Sequence, residues 1–205
     1  LRNWYYQNWL PGDYLVEMIV HSLDMMSWAM GDKMPVRATG TGGRQARTDE
    51  KFGNIYDHFA IEYEYENGSR GFSFSRQQPG CSNRSTVEIA GATGNAYVGD
   101  GHRIITRDKQ AWEYKGEINN PYQTQHDELF ASIRNGKAVN DGQMMANSTM
   151  VAILGRMVAY SGQTITWNEA LNSNQLLAPA VDKFSWDLKY KSPDVAIPGI
   201  TNVLG

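Results

Sequence analysis

The spacing of apolar residues changes twice along this chain, and that change restricts the fold more than any single motif. Residues 13–31, inside GDYLVEMIVHSLDMMSWAMGD (Gly12–Asp32), are apolar on nearly every side of a helical period. Asp13 is placed as N-cap and Gly31 as the stop. From residue 35 the period shortens to that of strands in PVRATGTGG, HFAIEYEYENG, SRGFSFSRQ and STVEIAGATGNAYVG. Glu-Asn-Gly-Ser at 66–69 predicts a hairpin turn, because Asn-Gly accepts the positive φ of tight turns. IITRDKQAWEYKG predicts two more short strands. After Pro121 the helical period returns. Helices are expected over 122–135, with Leu129, Phe130 and Ile133 on one face, over 141–161, and briefly over 167–173. Helix, meandering strands, then helices is an α+β order. It predicts a mostly antiparallel, open-faced sheet with helices packed on one face. Residues 4–10 read as extended and aromatic, and the tail from 178 as irregular.

Composition narrows the function. With 41% hydrophobic residues the chain can build a core. A net charge of −3, with 19 Lys and Arg scattered and no basic run, argues against a nucleic-acid partner. Cys81 is the sole cysteine, so neither a disulfide framework nor a cysteine metal site is expected. No apolar run reaches the roughly 18 residues of a membrane span. The start LRNWYYQNW lacks an initiator Met and a signal-peptide layout, and predicts a processed chain or a piece of a longer one. Its compartment is left open between cytoplasm and export to the periplasm.

Within the first helix, Glu17, His21, Asp24 and Trp28 sit at i, i+4, i+7 and i+11, which is one helical stripe. No Lys or Arg lies within Gly12–Asp32 to pair the carboxylates. A buried carboxylate costs several kcal/mol unless hydrogen-bonded or paired, so the stripe needs a cleft, a ligand, a metal or partners elsewhere. Three readings stay open. One is a structural network, with Asp24 on a loop and His21 on backbone. Another is a metal site, for which no second His–carboxylate cluster is present, so no metal ligand is assigned. The third is acid/base chemistry, with His21 accepting a proton and Glu17 orienting it.

A meander gathers a second set. The end of the first strand, the start of the second and the end of the third share one edge, which brings together Arg44, Tyr56, Asp57, His58, Arg76, Gln77 and Asn83. Such a set suits a polyhydroxylated or anionic ligand. GTGGRQ (40–45) and GATG (91–94) do not complete a dinucleotide fingerprint and read as simple turns. His102 and His126 read as a surface turn and a helix start.

These stretches resemble one family. GDYLVEMIVHSLDMMSWAMGD is similar to the helix signature of the glucose–fructose oxidoreductase / inositol dehydrogenase (Gfo/Idh/MocA) family. EYENGSRGFSFS, EIAGATGNAYV, HDELFASIRNGKAVND and ANSTMVAILGRMVAYSGQTITW resemble its hairpin, strand and closing helices in order, over about residues 10–170. The resemblance implies a single C-terminal, GAPDH-like domain over 1–205. The family's Rossmann domain, with its catalytic Lys, lies outside this sequence and would hold NAD or NADP. His21 falls on the family's catalytic His, and Glu17 where many members carry Asp. Asp24 matches a position read as structural or supporting the active site, and is grouped with Arg44, Tyr56, Asp57, His58, Arg76, Gln77 and Asn83 as the residues of the substrate site. A carbohydrate substrate, its oxidation or a redox-assisted glycoside cleavage, and homo-oligomerisation through the open sheet face are also implied.

Overall fold

The computed structural model describes residues 3–99 and 101–205. They group into two compact units. One runs up to Ser82 and resumes with Asn147–Gly205, and the other is Asn83–Ala146.

In the first unit, β1 (Arg37–Gly43) pairs antiparallel with β2 (His58–Glu64), and β2 with β3 (Arg70–Arg76). The β2–β3 hairpin turns at Asn67-Gly68 as expected, with Gly68 at φ 84°. A two-residue strand, β8 (Ile165–Thr166), adds to the other side of β1 and completes the order β3-β2-β1-β8 in a sheet of four strands. That strand is too short to announce itself by period.

Alternation along β2 is strict. Phe59, Ile61 and Tyr63 are buried, while His58, Ala60, Glu62 and Glu64 lie on the opposite, open face. On the same open face Phe72 and Phe74 are exposed, their rings 6.3 Å apart and nearly parallel. Helices cover the inner face. A Cβ on Gly71 of β3 would collide with Met26 Sδ, and one on Gly155 with the Tyr63 hydroxyl, so these glycines permit close helix–sheet approach.

The long helix Gly142–Ser161 is buried almost all round from Val151 onward. Its Tyr160 packs on Tyr56 with ring centroids 4.6 Å apart. The irregular tail also contributes to this core through Ala196 and Val203.

The first helix departs from expectation. It is not one run over 13–31 but two, α1 (Tyr14–Glu17) and α2 (Val20–Ala29). At the break both Met18 N–H and Ile19 N–H donate to Tyr14 O, at 2.8 and 3.3 Å. The second bond spans five residues, a π-type turn that inserts one residue into the helical ladder. Neither Gly nor Pro marks it. The helix is also not buried all round, since Met18 and Trp28 are 50% and 58% exposed. Asp13 does cap α1, accepting from Tyr14 N.

The second unit holds the sheet β4-β5-β6-β7: Val87–Ala90, Gly94–Val98, Arg103–Thr106 and Ala111–Glu113, all antiparallel. The expected meander is thus divided between two sheets. The unit also holds the helix Pro121–Arg134, capped by Asn120, whose Leu129, Phe130 and Ile133 are exposed. The two sheets and their helices make the fold α+β with antiparallel sheets, as the periods require. No helix among the described residues is long and apolar enough to cross a membrane.

Candidate functional site

The polar groups of the first unit gather where β1 ends and β2 begins. Gly43, His58 and Arg76 stand side by side in register there. The loop from residue 44 to 57 is built around one carboxylate. Asp57 Oδ2 accepts the backbone N–H groups of Gln45, Ala46 and Arg47 at 2.8, 2.6 and 2.9 Å. Its Oδ1 meets His58 Nδ1 at 2.8 Å and accepts from Gln78 Nε2 at 3.1 Å. Burial alone pushes this carboxyl's pKa up. The Arg47 N–H, the His58 ring and the Gln45 and Ala46 N–H groups outweigh it and hold Asp57 well below the usual carboxylate range.

Arg44 braces the same loop. Its guanidinium donates to the carbonyls of Arg47, Asp49 and Gly53. Arg44 and Asp57 therefore shape the rim from within, and their hydrogen-bonding groups are engaged by the loop itself. Tyr56 is in the core, its hydroxyl donating to Ala196 O at 2.9 Å, with burial first and the Asp13 charge second pushing its pKa up to about 12. Tyr56 thus belongs to the core rather than to the exposed rim.

Gln77 joins the rim to the N-terminal segment. Its Nε2 donates to Tyr5 OH at 2.7 Å, and its Oε1 accepts from Arg47. Arg47 is further restrained over the Tyr6 and Phe52 rings at 5.8 and 5.7 Å. Tyr5 thus accepts from Gln77 and keeps its own proton for donation. Burial, with the charges of Glu17 and Asp13, raises its pKa against the lowering effects of Gln77 and Arg47. Glu17 Oε2 is buried and has no hydrogen-bond partner among the described residues. That is the orphan a ligand or a donor from outside this chain would satisfy.

The helical stripe does not act as one surface. His21 is exposed, with no hydrogen bond to its ring among the described residues. Asp24 is half-buried and accepts from the buried Ser148 hydroxyl at 2.5 Å, which ties α2 to the long helix. Arg76 lies on the open face and donates to Ser82 O at 3.1 Å. Asn83 is exposed and falls in the other unit.

The structure therefore brings Gln77, Asp57, His58 and Arg44 together with Tyr5, Arg47 and Gln78, which sequence reasoning left out. The aromatic N-terminal run was the one available signal for Tyr5. Arg47 and Gln78 carried none, since they sit in loops whose closure depends on Asp57.

Among the described residues no group of three or more His, Cys, Asp or Glu is arranged to hold a metal ion. Gly40 and Gly42 lie inside β1, where a Cβ would come within 2.6 and 2.8 Å of the β2 carbonyls, so they serve strand packing.

Residues 1–97 match the family model described as the GFO/IDH/MocA C-terminal domain. No curated protein matches the chain. Solved structures do. An aldose–aldose oxidoreductase from Caulobacter crescentus, complexed with glycerol, superposes with a TM-score of 0.63 at 18% identity, over 80% of this chain and 50% of that one. UDP-N-acetylglucosamine 3-dehydrogenase from Acidithiobacillus ferrooxidans gives 0.59 at 16% identity, over 72% and 47%. An oxidoreductase from Agrobacterium radiobacter in complex with NAD+, L-tartaric acid and magnesium gives 0.53 at 12% identity, over 74% and 48%. The chain spans about half the length of the solved structures it matches. At these identities the likeness is one of fold. Residues 1–97, just under half of the chain, thus match the Gfo/Idh/MocA C-terminal domain model, and the α+β fold is shared with these oxidoreductases.

Proposed function

We propose that residues 1–205 form the substrate domain of an NAD(P)-dependent oxidoreductase acting on a hydroxyl of a sugar or polyol. The observation that carries this reading is the buried, unpartnered Glu17 Oε2 near a rim of hydrogen-bonding side chains, Tyr5, Gln77 and Arg47. A polyhydroxylated ligand supplies both the donors Glu17 lacks and acceptors for Tyr5 and Arg47. The glycerol-bound, aldose-acting neighbour and the NAD+-bound one support the same chemistry.

A nicotinamide held mainly by a separate domain supplies hydride acceptance. This chain contributes grip and proton handling. His21, exposed and beyond the break that follows Glu17, accepts the substrate O–H proton, while Glu17 meets a substrate hydroxyl. Asp24, fixed by Ser148, holds α2 in place. Gln77 and His58 contact the ligand directly, and Arg76 extends the set. Asp57 and Arg44 hold the rim in shape. Exposed Phe72 and Phe74 support assembly of copies through the open sheet face.

Product analysis on the full-length protein tests this reading. Reduced nicotinamide accumulating with a keto-sugar or keto-polyol is expected. Net glycoside cleavage at unchanged cofactor redox state would instead assign the redox-assisted glycosidase reaction. Intact ligand binding without turnover would leave a binding module.

A further inference from the structure

His58 is held very differently from His21. Its Nδ1 lies 2.8 Å from Asp57 Oδ1, and Asp57 has no accessible surface. The other Asp57 oxygen already accepts three backbone N–H groups, and Oδ1 also accepts from Gln78 Nε2. A carboxylate serving five donors is the ionised, acceptor-only form. Two lone pairs cannot face each other at 2.8 Å, so the proton between the groups belongs to the imidazole. Gln78 Nε2 also lies 3.4 Å from Nδ1, longer than its 3.1 Å bond to Asp57, and does not compete for that position. Nδ1 therefore carries hydrogen, and in the neutral ring the lone pair stands on Nε2.

The surroundings keep that nitrogen open. The His58 side chain is 37% accessible. Gly43 stands opposite it in the ladder, and a Cβ there would come within 3.3 Å of Nε2. On the other flank Arg76 is the paired residue, its guanidinium engaged by Ser82 O. With glycine on one side and an engaged arginine on the other, Nε2 makes no hydrogen bond among the described residues.

We propose that Asp57 and His58 form a hydroxyl-gripping dyad, with His58 Nε2 accepting the hydrogen bond of a ligand hydroxyl other than the one His21 deprotonates. Asp57, a positioning residue, fixes the ring in the tautomer that leaves the Nε2 lone pair free. The dyad selects a hydroxyl donor and disfavours a carboxylate, whose acceptor oxygens would oppose the Nε2 lone pair. The identity of the ligand rests on the carbohydrate reading above, whereas the dyad stands on the geometry of this chain alone.

Histidine-labelled nitrogen NMR on the 205-residue chain, in alkaline buffer where imidazoles are neutral, reads the tautomer directly, with His58→Gln assigning the signal. His58 is expected as the Nδ1–H form, and Asp57→Asn is expected to move it toward Nε2–H. An Nε2–H ring in the unsubstituted chain would overturn the dyad whether or not the variant folds. In the full-length protein, His58→Gln is expected to lower kcat/KM for a sugar or polyol by about 10-fold, mainly through KM. An active enzyme whose KM survives that substitution would overturn the role. An inactive parent protein would remove the carbohydrate reading, and the hydroxyl ligand with it, while the tautomer alone decides the dyad.

Discussion

Asp13 and Asp57 are both fully buried in the same unit, yet the protein treats them oppositely. Asp13 accepts from Tyr14 N, Tyr56 N at 2.9 Å and the Tyr160 hydroxyl, with the buried Arg156 acting at longer range. Those donors do not offset its burial, and its pKa rises to about 7. Asp57, at the sheet end, gathers five donors, three of them backbone N–H groups on one oxygen, and its pKa falls below the usual range. Burial alone does not decide whether a carboxylate stays charged. The number and direction of donors do. Asp13 joins α1, the segment at Tyr56 that precedes β2, and the long helix as an interior tie, whereas Asp57 is an anion that organises a loop and a histidine.

The largest expected difference lies in loss of the side chain. Asp57→Ala strands three backbone donors and should cost about 3 kcal/mol, read as a lower urea midpoint at unchanged slope. A cost below about 1 kcal/mol would mean that the loop does not depend on this carboxylate.

The second difference lies in pH. The folded pKa of Asp13 lies above the unfolded value near 4, so the native state binds more protons between about 4 and about 7, and its contribution falls as pH rises through that window. The folded pKa of Asp57 is depressed, so its contribution is present above about 4 and is lost as pH falls further. The opposing slopes place the combined optimum of these two groups near pH 4–5. Asp13→Asn should flatten the neutral-side slope of a Tm-versus-pH curve and leave the acid-side loss intact. An unchanged neutral slope would contradict the assignment.

The smallest expected effect is at Ser148→Ala, which removes one hydrogen bond to the half-buried Asp24. About 1 kcal/mol of stability should be lost, measurable by the same urea titration.

Much of the fold was legible because it depends on local period. The strict alternation of β2 and the Asn67-Gly68 turn define the hairpin without help from distant residues. The break at Met18–Ile19 was not, because its cause is one carbonyl, on Tyr14, shared by two N–H groups, with no Gly or Pro to mark it. The site shows the same division. That Asp57 and His58 sit at the sheet edge follows from strand order. That Asp57 serves the loop depends on Gln45–Arg47 folding back from ten to twelve residues earlier, a closure no local pattern encodes. Tyr56 was placed at the rim by position alone, whereas its ring is drawn into the core against Phe59 and Tyr160.

The most direct test of the proposed oxidoreductase site compares His21→Ala with the parent full-length protein in steady-state oxidation of a sugar or polyol. If His21 accepts the hydroxyl proton, kcat/KM should fall by about 10²–10⁴-fold. Retention of most of the activity would contradict the role assigned to His21.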